Sequence, residues 1–270
     1  MKHILITGSK GYIATNLTNY LSKTEYRING IDKVYGMKAE FIMKYDYKCD
    51  AIIHLAALSG IKSCEDDLIT AVRDNISSAF NIFHLSYEKN IPVIFLSSQA
   101  AKDPNSSRYA MMKKIIEIQA EILNKECSTD IKVLRLTNVY GGVDYLEKKN
   151  TVVKKFIESY KSRKPIIVEG SGDQTRDFIH VDDVCEYIKR CIEMDDMKID
   201  EPVDIGTGVQ TSINELARMF NTDNIQYDIS SRSVGVVTNV AYIDKAIELF
   251  GYKASSKLQE YINERIKNNV

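Results

Sequence analysis

The 270-residue chain has no tryptophan, only four prolines and only five cysteines. The cysteines, Cys49, Cys64, Cys127, Cys185 and Cys191, are odd in number and widely scattered. That fits neither a disulfide frame nor a zinc site, and buried thiols in a reducing cytoplasm are the expectation. The four histidines, His3, His54, His84 and His180, show no ligand spacing, so no metal is implied. A net charge of -1 leaves no footprint for nucleic acid or an anionic membrane. No apolar run is long enough to cross a bilayer. Nothing reads as a signal peptide, because His3-Ile4-Leu5-Ile6 is too short and runs into a glycine turn. What is present is a globular balance: 44% hydrophobic and 27% charged residues supply a core and argue against disorder.

The chain is organised around its first strand and the turn after it. His3-Ile4-Leu5-Ile6 has the pattern of a buried strand. Thr7-Gly8-Ser9-Lys10-Gly11-Tyr12-Ile13-Ala14 follows, and Ile13, Leu17, Tyr20 and Leu21 then fall at helical spacing. Strand, glycine turn and helix form a phosphate cradle. Gly8 permits the tight turn, Gly11 lets a pyrophosphate approach the backbone, and the helix N-terminus faces the anion. Ala14 takes the third small position, which needs only close packing of helix on strand. A glycine turn alone is a weak signal. Asp32 strengthens it, since it ends a second strand, Tyr26 to Ile31, about 20 positions on, where a ribose hydroxyl pair is held.

Further along, Ala39 to Lys44 reads as a third strand and Ala51 to Leu55 as a fourth. Tyr45 to Asp50 is too short for a normal parallel crossover, so the helix between them is missing or reduced to one turn. Asp46 lies where an adenine edge could be met, or is simply an exposed loop aspartate. Cys64 to Lys89 reads as one long helix, within which Asn75 could reach a neighbouring loop or be solvated. Ile91 to Leu96 is a fifth strand ended by Ser97-Ser98-Gln99. Ser106 or Ser107 caps a helix running to about Lys125, and Ile131 to Leu136 is a sixth strand. Strands alternating with helices imply a doubly wound, mostly parallel α/β sheet. A second, smaller region starts after Gly141-Gly142.

Ligands in such sheets bind beyond the carboxyl ends of the strands, where Leu55-Ala56-Ala57, Ser97-Ser98-Gln99 and Thr137-Asn138 all fall. Tyr109 and Lys113 are four apart on a helix, hence on one face. A phenol is no base at neutral pH unaided, but a lysine cation and a positively charged nicotinamide would favour the phenolate. Ser98 could share a proton with a substrate hydroxyl. An ordinary helix-surface pair would look the same. The order of glycine turn, acidic ribose partner, Ser-Ser and Tyr-Ala-Met-Met-Lys favours chemistry.

With these residues the chain resembles the extended short-chain dehydrogenase/reductase family, in particular its nucleotide-sugar epimerases and dehydratases. The segments that carry the resemblance include His54-Leu55-Ala56-Ala57, Phe95-Leu96-Ser97-Ser98, Tyr109 to Lys113 and Leu134 to Gly141. The run Gly172 to Val184, with Arg176-Asp177-Phe178-Ile179-His180 at its centre, is the most specific, and Val203 to Gly208 follows it. The resemblance implies a Rossmann fold with a smaller, interleaved C-terminal substrate region. Residues 1–140 would bind cofactor, with 177–208 returning to them, while 141–176 and 209–270 would take the sugar nucleotide. It implies an NAD site from Gly8, Gly11, Tyr12, Ile13, Asp32, Lys33, Asp46, Leu55, Ala56, Ala57, Asn75, Ser97, Tyr109 and Lys113. It implies Ser98, Tyr109 and Lys113 as the catalytic set. It implies Ser98, Gln99, Asn138, Arg176 and Arg232 toward a nucleotide-diphosphate sugar. It also implies a homodimer formed through helices 64–89 and 107–125.

Departures narrow the reading. Only ten residues separate Ser98 from Tyr109, where relatives have a longer loop over the sugar. Lys102-Asp103 replaces the family's tyrosine-glycine, and Arg232 lacks the following Gly-Asp. Gln99-Ala100 stands where dehydratases carry Asp-Glu, so no base for elimination is visible. The expected activity is therefore 4-epimerisation of a nucleotide sugar through a 4-keto intermediate, with NAD as cofactor, in the cytoplasm. A 4-keto-sugar reductase using the same residues is the enzymatic alternative. A non-catalytic sensor of NAD(P) is the alternative of another class.

Overall fold

The computed structural model describes residues 1–36, 38–44, 48–143, 151–194, 198–230 and 238–267. The main sheet is parallel throughout. It contains β1 (His3–Thr7), β2 (Arg27–Ile31), β3 (Ala51–His54), β4 (Val93–Ser98), β5 (Ile131–Leu136) and, after four short strands, β10 (Val203–Ile205). The order across it is β10-β5-β4-β3-β1-β2, so the chain reverses direction between β1 and β3. Such a switch point opens a crevice beyond the strand ends.

Both faces of the sheet are covered, which is why its strands read as unbroken apolar runs. Side chains alternate between the faces. Ile4, Ile6, Ile53, Ile94, Leu96 and Leu134 pack on one side with α1 (Tyr12–Leu21) and a later helix, α7 (Val181–Glu193). Leu5, Ile52, Phe95 and Val133 pack on the other with Ile82, Phe83, Ile116 and Ala120. These last four come from α4 (Ser78–Lys89) and α5 (Arg108–Cys127). Of the two caps expected for α5, Ser106 and Ser107, it is Ser107 whose side chain accepts from Ala110 N at 3.1 Å.

Three expectations are corrected. Ala39–Lys44 is not a strand but a pair of 3-10 turns kinked at Phe41, with Ile42 buried against the α4 face. The chain leaves β2 at the sheet edge and must cross β1 to reach β3, and residues 32–50 are needed for that crossover. The helix read over Cys64–Lys89 is also interrupted. α2 (Ile61–Asp66) ends at Asp67, which leaves helical geometry and caps α3 (Leu68–Ala71) by accepting from Thr70 N at 3.0 Å. A wide π turn, Val72–Ser77, then leads into α4. β4 starts and ends two residues later than expected, so Ser97 and Ser98 belong to the strand itself.

The remaining strands are short: β6 (Asn138–Tyr140), β7 (Ile166–Glu169), β8 (Thr175–Arg176), β9 (Phe178–His180), β11 (Thr211–Ser212), β12 (Ile225–Asp228) and β13 (Thr238–Asn239). They form three small sheets, β11-β8-β13, β12-β7 and β6-β9. Between β8 and β9 stands Asp177, fully buried. Its carboxylate accepts from Thr207 N at 3.0 Å, Thr207 Oγ1 at 2.7 Å, Gly208 N at 3.0 Å and Ala241 N at 3.2 Å. One side chain thus ties the chain leaving β10 and the chain leaving β13 to the β8–β9 connection.

That arrangement gives a first test. Asp177→Asn keeps the shape but replaces one accepting oxygen with an NH2 donor that faces N–H donors, leaving buried donors unmatched. Hydrogen bonds to a buried charge contribute about 1.5–3 kcal/mol each, so a loss of about 3 kcal/mol is expected. At roughly 2–4 °C per kcal/mol for a chain of this size, calorimetry should show the melting temperature fall by roughly 6–12 °C. An unchanged melting temperature would show that these contacts are dispensable.

Candidate functional site

The glycine turn is fixed by close backbone contact. Gly8 has φ +65°, and a Cβ there would lie 2.7 Å from the backbone of Ala56. Gly11 N donates to Gly8 O at 2.8 Å, and a Cβ on Gly11 would come 3.0 Å from that oxygen. The turn is pinned from β3 as well. Thr7 Oγ1 accepts from Leu55 N and Ala56 N, both at 3.2 Å, and lies 2.7 Å from His54 Nδ1. Having accepted twice, that hydroxyl donates to Nδ1, which leaves the His54 proton on Nε2. Burial pushes the imidazole down to about 3, so it is neutral.

Two cavities meet at Gly8, Gly11, Leu55, Ala56 and Ala57. The smaller, about 300 Å³, is closed by Asp32, Lys33, Val34 and Arg73. Asp32 Oδ2 accepts from Lys10 N at 2.9 Å and Oδ1 from Val34 N at 3.0 Å. Each carboxylate oxygen keeps a second lone pair, so Asp32 is held rigidly and can still accept from a diol. Lys33 Nζ is paired with Asp74 at 3.3 Å, and Arg73 Nε reaches the same carboxylate at 3.0 Å. The Asp74 charge therefore draws Lys33 across the rim.

The larger cavity, about 470 Å³, is lined by Tyr12, Ile13, Ser97, Ser98, Tyr109, Lys113 and Asn138 among others. Ser98 ends β4 and accepts from Ala100 N at 3.2 Å, and a side-chain hydrogen bond links it to Tyr109. Lys113 is 5% exposed, donates to Leu96 O at 2.8 Å and stands 5.9 Å from the centre of the Tyr109 ring. The expected lowering of the phenol by this lysine is not what the structure shows. Burial pushes Tyr109 up to about 12, and only the Ser98 hydrogen bond opposes it. Burial also pushes the Lys113 amine down to about 8, against the pull of Glu117. Desolvation disfavours both charged forms.

Other expected residues stand elsewhere. Asn75, 2% exposed, accepts from Leu58 N at 2.9 Å and donates to Leu58 O at 3.2 Å, so it holds the loop after β3. Gln99 is buried and its amide faces Arg135 O at 3.5 Å. Arg176 is half-buried on β8 and donates to Thr175 O at 2.7 Å. None of the three lines either cavity. Tyr12 spends its hydroxyl on Gly141 O at 2.7 Å, and Ser97 spends its own on Glu117 at 2.6 Å. Asp46 and Arg232 lie outside the described residues. Missed by the sequence reading are Phe178 and the start of α6 (Val152–Lys161), where Thr151, Val152 and Val153 line the larger cavity. Thr151 before an apolar-periodic segment was a readable cap signal.

The geometry can be set beside known proteins. The chain is 23% identical over 321 residues to the UDP-glucuronate 4-epimerase of Thermodesulfobacterium geofontis, covering 100% of this chain and 98% of that one. Its fold is similar to the UDP-N-acetylglucosamine 4-epimerase of Methanobrevibacter ruminantium, solved with UDP-N-acetylmuramic acid. The TM-score is 0.84 at 22% identity, over 98% of this chain and 97% of that one. It is equally similar to the UDP-glucuronic acid 4-epimerase of Bacillus cereus, solved with UDP-glucuronic acid and NAD. There the TM-score is 0.84 at 21% identity, over 99% of this chain and 100% of that one. The family model described as the NAD dependent epimerase/dehydratase family matches residues 4–206. With the match covering most of its length, the chain belongs to the NAD-dependent epimerase/dehydratase family.

Proposed function

We propose that the protein is an NAD-dependent 4-epimerase of a nucleotide-diphosphate sugar, working through a 4-keto intermediate. One observation carries this reading: Ser98, Tyr109 and Lys113 converge on the cavity that the glycine turn lines, and that cavity joins the one holding Asp32. The residues fit a dinucleotide. Gly8 and Gly11 leave room where a Cβ would crowd backbone, and Asp32 is fixed where a ribose diol is accepted. Gly8, Gly11, Ile13, Leu55, Ala56 and Ala57 would hold it along one side, with Tyr12 steadying the helix start.

Bound there, an oxidised nicotinamide would supply a hydride acceptor for C4 of the sugar and a donor for its return. Tyr109 takes the proton of the C4 hydroxyl and gives it back. Ser98 donates to the same oxygen as its charge changes, and Lys113 supplies positive charge beside the phenol. With burial holding Tyr109 up at about 12, the positive charge that an oxidised nicotinamide would supply beside it would favour the phenolate. Asn138, which lines the larger cavity, is assigned to the diphosphate; Arg176, outside both cavities, would join it by turning its guanidinium fork from Thr175 O, and Arg232 keeps that assignment from the sequence alone. On the same reading, residues 1–140 with 177–208 form the cofactor domain. Residues 141–176 and 209–270 form the sugar-nucleotide region. Reduced thiols and a nucleotide-sugar substrate favour a cytoplasmic setting, and no described helix is long and apolar enough to cross a membrane.

A homodimer is part of the proposal. Met111, Ile115, Ile118 and Ile122 make an exposed apolar stripe on α5, spaced as in a helix–helix seam. Leu68, Ile69 and Val72 expose a second apolar patch ahead of α4. A second copy of the chain would cover such surface.

The decisive assay incubates the protein and NAD with a panel of nucleotide sugars and separates the products. A 4-epimer formed without net change in NADH supports the reading. Net NADH consumption with a 4-keto sugar would favour the reductase, and binding without turnover would favour the sensor. Tyr109→Phe should cut turnover by ~10²–10⁴-fold with melting temperature and NAD affinity little changed. Turnover near wild type would remove the assignment of Tyr109 as base. Calorimetric titration should show NAD bound more tightly than NADP, because Asp32 repels a 2′-phosphate and the Lys33 charge is already paired with Asp74. Tighter NADP binding would reverse that order. Light scattering of Ile118→Glu should report a monomer where the wild type is a dimer, and an unchanged mass would place the interface elsewhere.

A further inference from the structure

Glu117 is a buried carboxylate with no part in the chemistry above. It is 1% exposed and lies one helical turn beyond Lys113, on the same face of α5. Arg135 on β5 grips it with both arms of its fork, Nε at 2.8 Å and Nη2 at 2.7 Å. Ser97 Oγ donates to it at 2.6 Å. Lys113 donates to Leu96 O, the residue before Ser97. Lys113 and Glu117 therefore stitch α5 to two consecutive residues of β4, directly under the cavity. Phe95, one residue earlier, presents its ring 4.6 Å from Lys113 Nζ.

The charges alternate away from the site. Glu117, one turn from Lys113 without a direct ion pair to it, is followed by Arg135 and then by Asp204 at 3.9 Å from Arg135. Asp204 in turn meets Lys102, on the short loop after Ser98, and accepts from Tyr242 N at 3.0 Å. The other groups facing Lys113 give it no negative partner. His54 from β3 is neutral, the Cys64 thiol from α2 is pushed up by burial, and Tyr109 on α5 is protonated without cofactor. Lys114 adds a third cation 3.8 Å from Glu117.

We propose that Glu117 is a positioning residue for the reaction, its carboxylate clamped by Arg135 and Ser97 so that Lys113 stays charged and fixed against β4. This rests on the epimerase reading only for its consequence in turnover. A buried amine without this carboxylate would shed its proton and leave Tyr109 with no resident cation. Arg135 competes for the same carboxylate, so the two substitutions act in opposite directions on Lys113.

The test follows the titration of Lys113 in the cofactor-free protein by NMR of ¹³C-labelled lysine. Its signal is assigned by loss in Lys113→Met. Glu117→Gln should lower the midpoint of Lys113 by about one pH unit or more. Arg135→Met, which leaves the carboxylate and removes its competing cation, should raise it. Glu117→Asp should restore most of the wild-type value. The alkaline limb of the pH–kcat profile should move in the same directions once a sugar substrate is in hand. Midpoints that stay put, or move the same way in both variants, would reduce Glu117 to a packing role. If Glu117→Gln does not fold, the sign of the Arg135→Met shift decides alone. The NMR readout needs no turnover, so failure of the epimerase assignment leaves it intact.

Discussion

The contact of Gly8 with the backbone of Ala56 is the constraint from which the site is built. A strand exit turn and its neighbour's exit loop lie so close that no side chain fits between them. That closeness is possible only at a switch point, where the two chains leave their strands and diverge to opposite faces. Both cavities share this seam, so their relative placement is set by backbone and not by mobile side chains. Thr7 reinforces the seam by accepting two N–H groups from the far side.

A second constraint, Asp177, binds the later chain to this frame. The carboxylate gathers N–H groups from segments far apart in sequence, and β10 completes the sheet beside β5 only because the chain returns there. The region after Gly142 is thus no independent appendage. Its short strands are closed by side chains and by one another, which explains why its periodicity is faint in the sequence.

Legibility followed the range of the interactions. β1, β5 and the Ser107 cap were readable because strand burial and capping are local. Ser98, Tyr109 and Lys113 were singled out from spacing on one helix plus one strand end, and the fold brings all three to one cavity. Ala39–Lys44 was misread because Ile42 packs against α4, a contact that an apolar run cannot distinguish from burial in a sheet. Asn75 and Gln99 were assigned to ligands, whereas each has its amide turned to backbone that only the folded chain brings near. The depressed lysine and raised phenol were not readable, since desolvation is a property of the packed interior and not of the motif.

The crossover through 3-10 turns leaves β2 as the outermost strand on its side of the sheet. Its free edge is five residues long, with Arg27, Asn29 and Gly30 exposed to water. A short edge carrying a guanidinium and a glycine is a poor template for a stranger's strand. Crowded copies of this chain are therefore steered away from pairing strand to strand along this edge.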